Sequence, residues 1–110
     1  MTTFDTGKKG PHPNARIENL RDAIDKIDNR LLTLINDRLK LAAEIGSLKQ
    51  SAGNPVKDLE REARIISRLQ RSNCGPIDND LLTRVFVDII RASCYLQNTI
   101  RSETEKNGHA

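Results

Sequence analysis

Apolar residues recur along the first half of the chain with the seven-residue repeat of a helix that packs against other helices. Nine positions make up the repeat: Ile17, Leu20, Ile24, Ile27, Leu31, Leu34, Leu41, Ile45 and Leu48. The repeat predicts one long helix that begins at a cap near Asn14 and ends at about Leu48–Ser51, just before Gly53-Asn54-Pro55.

Shorter apolar stripes predict two further helices. The second is expected to run from residue 55 or 56 to residue 72, and the third from a cap at residue 78 or 80 to about residue 101. The stripe of the third helix continues into Ser93 and Gln97, each of which lies seven residues after an apolar position. Two polar side chains on an otherwise apolar face indicate a polar pocket within the core.

The first helix is too long to be buried by its own chain. Some 35 residues make a rod of roughly 50 Å, whereas a globule of this length would be only about 30 Å across. The apolar stripe must therefore extend into a partner. We expect an all-α protein with three helices per chain, assembled as an intertwined homodimeric helix bundle. The expected divisions are a flexible tail over 1–15, one domain over 16–101 and a frayed tail over 102–110.

Arg38 interrupts the apolar repeat of the first helix. Its position is the next step after Leu31 and Leu34, where another leucine is expected. A guanidinium in an apolar seam is costly to desolvate unless an anion meets it, and the seam of this helix holds no acid. The simplest interpretation is an anionic ligand from outside, although an ion pair with an acid on another helix remains open.

Composition and charge exclude several classes of function. The chain has three aromatic residues and a formal net charge of +3, with charges that alternate in sign as on solvated helix faces and form no basic stripe of the kind that binds nucleic acid. Its two cysteines indicate reduced thiols in a cytoplasmic protein. No apolar run approaches the ~20 residues of a membrane span, and the first 15 residues lack the hydrophobic stretch of a secretory signal.

Helical spacing brings further polar residues towards Arg38. Lys49 lies eleven positions later, within ~20° of the same face and ~16 Å along the helix, which leaves room for one small molecule. Arg21 lies on the same face but ~25 Å away, so that only the partner's Arg21 could reach the same ligand in an antiparallel dimer. Asp58 with Glu62, and Ser93 with Gln97, are i, i+4 pairs on the second and third helices.

The set suits a small dianion with a polar substituent, and it lacks a nucleophile–base pair or a metal-binding cluster. Ordinary structural roles remain open for each member. Arg21 could pair with Asp25 on the surface, and Lys49 could match the helix dipole. The acids of the second helix could cap its start, and the polar pair of the third helix could bond between helices in the core.

Three segments carry a family resemblance: LRDAIDKIDNRLLTLINDRLKLAAEIGSLK, PVKDLERE and FVDIIRASCYLQ. From Leu20 to Gln97 the chain resembles the all-α chorismate mutases, a class that includes the N-terminal domain of bifunctional chorismate mutase–prephenate dehydratases. The resemblance implies a cofactor-free pericyclic rearrangement of chorismate to prephenate, on the route to phenylalanine and tyrosine. It also implies a homodimer with shared sites.

The resemblance also implies roles for individual residues. Arg38 and the partner's Arg21 would each bind one of the two substrate carboxylates. Lys49 and Gln97 would donate hydrogen bonds to the ether oxygen. The remaining assignments are Glu62 on the ring hydroxyl, the backbone around Asp58 beside it, Ser93 on a carboxylate, Arg61 as a support for the acids, and Ile45, Ile65, Ile90 and Cys94 as apolar walls.

Two rival functions stay open. One is an isochorismate pyruvate lyase, which has a related fold and pericyclic chemistry; the Asp58–Glu62 pair favours the mutase because a ring hydroxyl needs a partner there. The other is a non-catalytic helical module that binds chorismate or prephenate and regulates a larger enzyme.

Overall fold

The structure, a computed structural model, describes residues 12–55 and 57–108. Three helices account for most of these residues: α1 over Pro13–Ala52, α2 over Leu59–Ser72 and α3 over Asn79–Gly108. The described residues contain no β-strand, so the predicted all-α class and the order of three helices are confirmed. Residues 1–11 of the expected N-terminal tail lie outside the described residues.

The start of α1 differs by two residues from the prediction. Asn14 was expected to cap this helix, but it lies inside the first turn, and His12 takes the capping role. The His12 carbonyl accepts from the Arg16 N–H at 3.0 Å, and its Nδ1 accepts from the Asn14 N–H at 3.1 Å. Pro13 follows at the first helical position, where its fixed φ fits the helix and its missing N–H costs no hydrogen bond.

The end of α1 falls where the Gly-Asn-Pro segment predicts it. Gly53 has a φ of +74°, a left-handed conformation that suits glycine because it has no Cβ. The Gly53 N–H bonds to the Gln50 carbonyl at 3.1 Å, and the Asn54 N–H bonds to the Lys49 carbonyl at 2.8 Å. These two bonds form a Schellman motif, which satisfies carbonyls of the last helical turn and fixes the backbone of Lys49.

The predicted start of α2 is three to four residues too early. The helix begins at Leu59, and Asp58 is its N-cap, with extended backbone and a carboxylate that accepts from the Arg61 N–H at 2.9 Å. Asp78 caps α3 in the same way through the Leu81 N–H at 2.8 Å. Helix α3 runs to Gly108, seven residues beyond the expected end at Arg101, because no helix-breaking residue intervenes before that glycine.

The chain divides into two compact units, the first ending at Leu34 and the second beginning at Ile35. The first unit contains α1 as far as Leu34. The second contains the rest of α1 together with α2 and α3. Its buried core includes Ile65 of α2 with Leu82 and Ile90 of α3, and the Gln70 amide donates to the Thr83 hydroxyl at 2.9 Å between these two helices.

The apolar repeat of α1 is largely exposed in the single chain. Its nine residues, Ile17 through Leu48, show between 44% and 70% of their surface to solvent. An exposed apolar stripe of this kind is unusual on a monomer and typically marks an interface. None of the helices in the described part of the chain is both long enough and apolar enough to cross a membrane.

Candidate functional site

Six of the seven predicted site residues line one cleft. The cleft has a volume of about 430 Å³ and lies within the second unit, between the last part of α1, the start of α2 and the middle of α3. Its lining includes Arg38, Lys49, Asp58, Glu62, Ser93 and Gln97, together with Arg61 and the four predicted wall residues Ile45, Ile65, Ile90 and Cys94. Three helices therefore bring together side chains that are up to 59 positions apart (97 minus 38).

Arg38 lies at the cleft without an acidic partner among the described residues. It is half-buried, and its guanidinium donates to the Ser93 hydroxyl at 2.9 Å. The Ser93 hydroxyl, which is 7% exposed, donates in turn to the Ile89 carbonyl at 3.1 Å. A neutral hydroxyl orients the cation without cancelling its charge. The open possibility of an ion pair with an acid on another helix is thus excluded for the described residues.

Gln97 is held by the backbone of α1. Its side-chain Nε2 donates to the Ala42 carbonyl at 2.5 Å, and the residue is 8% exposed. The approach is close because Gly46, a buried glycine of α1, faces Gln97: a Cβ at Gly46 would lie 2.7 Å from Gln97 Cγ. Ser93 and Gln97 thus both make the interhelical hydrogen bonds that the sequence left open as a structural alternative, and both residues also line the cleft.

Asp58 and Glu62, the two predicted site acids at the start of α2, differ in their surroundings. The exposed Asp58 uses its carboxylate as the N-cap, so the capping role considered from the sequence is confirmed for this residue. Glu62 is half-buried one turn later, and its Oε2 lies 4.0 Å from the Cys94 sulfur. On α1, the half-buried Lys49 lies in the last turn.

Cys94 is more than an apolar wall, since its thiol lies near the Glu62 carboxylate. Burial, and then the negative charge of Glu62, raise the pKa of this thiol above its usual value. The positive charges of Lys57, Lys49 and Arg38 act in the opposite direction and are outweighed. The thiol is therefore neutral near pH 7 and can serve as a weak donor to the carboxylate. Both cysteines are free.

A second cleft of about 560 Å³ adjoins the first. It lies between α2 and α3, and its lining includes Lys57, Leu59, Ile66, Arg91 and Tyr95. The two clefts share Glu62, Ile90 and Cys94, which we call the partition.

Arg21 does not belong to the cleft of the described chain. It lies on α1 in the first unit, with a side chain that is 68% exposed, and its guanidinium forms an ion pair with Glu18 at 2.9 Å. The sequence suggested a surface ion pair between Arg21 and Asp25. In the structure, Arg21 instead pairs with Glu18, three residues before it. A contribution of Arg21 to a partner's cleft stays a prediction.

The chemistry available in the cleft is binding and electrostatic stabilisation. Three cations, an amide and a hydroxyl can donate to the oxygens of an anion, and the two acids at the start of α2 can accept from a hydroxyl. The described residues contain no group of three or more His, Cys, Asp or Glu side chains that could hold a metal ion. Sequence reasoning did not identify Gly46 or the Ala42 carbonyl, although a lone glycine inside a helical pattern is a recognised signal of close packing.

Comparisons with known proteins agree with these features. Residues 20–98 match the family model of chorismate mutase type II. The chain is 35% identical over 89 residues to the bifunctional chorismate mutase/prephenate dehydratase of Aquifex aeolicus, covering 77% of this chain and 25% of that protein. It is 33% identical over 92 residues to the chorismate mutase of Methanocaldococcus jannaschii, covering 82% of this chain and 92% of that protein.

Solved structures show the same fold. The chorismate mutase from Helicobacter pylori in complex with prephenate superposes with a TM-score of 0.75 at 30% identity, covering 81% of this chain and 97% of that one. The chain spans about a quarter of the length of the bifunctional relatives that it matches, and nearly all of the chorismate mutase from Methanocaldococcus.

Proposed function

This chain belongs to the chorismate mutase type II family, and we propose that it catalyses the rearrangement of chorismate to prephenate in the cleft described above. The observation that carries the proposal is Arg38, a half-buried cation that faces the cleft and is oriented by a neutral hydroxyl. Such a cation is stabilised when an anionic ligand binds beside it. Chorismate carries two carboxylates, an ether oxygen and a ring hydroxyl, and we assign the cleft of one chain as the site for one carboxylate, the ether oxygen and the hydroxyl.

We assign one substrate carboxylate to Arg38 with Ser93, and the ether oxygen to Lys49 and Gln97. Glu62, with Asp58 nearby, accepts from the ring hydroxyl. The rearrangement is intramolecular: the ether C–O bond breaks while a C–C bond forms, and no proton is transferred. This chemistry requires no cofactor. The expectation that the protein binds none stays a prediction.

Two physical effects would lower the barrier. Charged contacts at both carboxylates hold the flexible substrate in a folded, chair-like conformation with its reacting carbons close together. As the C–O bond breaks, negative charge grows on the ether oxygen, and we assign Lys49 and Gln97, which both line the cleft, as the donors that stabilise this charge. Loss of one such donor typically costs on the order of 3–4 kcal/mol of barrier, or ~10²–10³ in rate.

We further propose that the working form is a homodimer in which the partner's Arg21 binds the second carboxylate. Support comes from the exposed apolar stripe of α1, which needs a partner surface. Support also comes from Arg21, whose guanidinium is exposed and makes only a surface ion pair within the described chain. A surface pair of this type contributes about 0–1 kcal/mol, so that a substrate carboxylate can replace Glu18 at little cost.

The proposal is tested by following chorismate depletion with the purified chain. The expected result is prephenate as the sole product, with a KM that rises when Arg38 is replaced by alanine. Isochorismate is assayed in parallel, and release of pyruvate from it without turnover of chorismate would favour the lyase. Binding of chorismate without any turnover would support the non-catalytic module and contradict the proposal.

A further inference from the structure

We infer that Gly46 is a positioning residue for Gln97: the absence of a side chain at this position allows the glutamine amide to dock on the Ala42 carbonyl, with its nitrogen rather than its oxygen towards α1. The inference rests on the proposed function only in that Gln97 acts on the ether oxygen. It concerns how the orientation of that amide is determined.

The surface of α1 explains how the amide reaches a backbone group. In an α-helix the carbonyl of residue 42 pairs with the N–H of residue 46, so the side chain of residue 46 lies next to this hydrogen bond. At Gly46 no side chain is present, and Gln97 Nε2 comes within 2.5 Å of the Ala42 oxygen. The carbonyl thus accepts a second donor from α3 in addition to its helical partner.

Docking on a carbonyl fixes the orientation of the amide. A carbonyl oxygen only accepts hydrogen bonds, so the atom of the Gln97 amide that faces it must be nitrogen. That nitrogen carries a second N–H, which remains available to an oxygen of a ligand in the cleft. If the amide were reversed, its oxygen would face the Ala42 oxygen, and the two acceptors would repel each other.

A methyl group at position 46 would remove this arrangement. A Cβ there would lie 2.7 Å from Gln97 Cγ, 3.1 Å from its Cβ and 3.3 Å from its Cδ. Carbon atoms normally approach to about 3.5–4.0 Å, so the stem of Gln97 would have to shift by about 1 Å. The contact involves the buried stem of the side chain and not its free end, which limits how easily the shift can be absorbed.

The test is a double-mutant cycle of Gly46→Ala and Gln97→Ala, with kcat and KM measured for chorismate. In the wild-type background, Gly46→Ala is expected to lower kcat by about 10–100-fold and to change KM by less than about threefold. In the Gln97→Ala background, the same substitution is expected to change kcat by less than about twofold, because alanine lacks the amide and the Cγ that the new methyl group displaces and keeps only the Cβ.

Ser47→Ala is the matched control. Residue 47 is exposed on the same turn of α1, and its replacement also raises helix propensity, yet it should leave kcat unchanged. A side-chain amide signal of Gln97 in a ¹⁵N–¹H spectrum, identified by its loss in Gln97→Ala, provides a readout that needs no activity. One of its two protons is expected to be protected from exchange in the wild type and unprotected in Gly46→Ala.

The outcomes separate this inference from the proposed function. An inactive wild-type chain would overturn the proposed function, while the amide spectrum would still decide the role of Gly46. An active wild type with unchanged kcat in Gly46→Ala would overturn the inference alone. An equal loss of kcat in both backgrounds would also overturn it, because it would indicate general damage to the fold. If Gly46→Ala does not fold, an unprotected Gln97 amide in the wild type contradicts the inference.

Discussion

Mixing two inactive variants offers the sharpest test of a shared site. Arg38 lies at the cleft of its own chain, whereas Arg21 lies in the other compact unit and is exposed. If the partner supplies Arg21, each site combines Arg38 of one chain with Arg21 of the other. Arg21→Ala and Arg38→Ala homodimers then lack one cation in both sites, and each is expected to lose ~10²–10³ of kcat/KM.

The recovery on mixing follows from the two-fold symmetry. Equal amounts of the two variants form homodimers and heterodimers in the ratio 1:2:1, so about half of the dimers are heterodimers. In each heterodimer one site carries both replacements and the other carries both arginines. Specific activity should therefore return to about one quarter of the wild-type value. A site made from one chain alone would give no recovery.

The assay follows the loss of chorismate absorbance after the variants have been unfolded together and refolded. Native mass spectrometry with two differently sized tags counts the heterodimers. Each variant refolded with itself is the control and should stay inactive. Heterodimers at the expected abundance without recovered activity would refute the shared site, and so would full activity of Arg21→Ala by itself.

Four further outcomes are expected. Lys49→Ala should lower kcat by ~10²–10³ while the helical circular dichroism and the solution mass stay unchanged; near-wild-type turnover would remove the proposed electrostatic role of Lys49. Asp58→Ala should lower the free energy of unfolding by about 1 kcal/mol through loss of the α2 cap, and an unchanged melting temperature would argue against that cap. Because burial and Glu62 raise the pKa of Cys94, iodoacetamide should label this thiol more slowly than the exposed Cys74 at pH 8, and Glu62→Gln should speed the labelling. Because the neutral amide of Gln97 donates hydrogen bonds without having to be protonated, kcat should stay level from pH 5 to 7. A sharp loss of kcat over that range would contradict the proposed role of Gln97.

The sequence predicted the helices better than their ends. The seven-residue repeat identified α1, and Gly53 identified its stop, because a left-handed residue at a helix end favours glycine strongly. The starts of α1 and α2 were misplaced, since several polar residues precede each helix and only the folded backbone decides which of them bonds to the free N–H groups.

The sequence predicted those parts of the candidate site in which a side chain breaks or extends a pattern of polar and apolar residues. Arg38 stood out because a cation broke an apolar pattern, and Ser93 and Gln97 because polar groups continued one. The Ala42 carbonyl could not be predicted, since every residue carries such a group and only its exposure by Gly46 makes it special. The proximity of Cys94 to Glu62 depends on how α2 and α3 pack, which helical periodicity does not fix.

The partition of Glu62, Ile90 and Cys94 also bears on the size of molecule that the protein can accept. All three residues line both clefts, so they are the positions to change if the two clefts are to be joined. Replacing Cys94 with alanine removes a sulfur atom that lines both clefts, and it is expected to make room for a bulkier group on the ring of the proposed substrate. Cys94 is therefore the first residue to vary in the design of a catalyst for larger analogues of the proposed substrate.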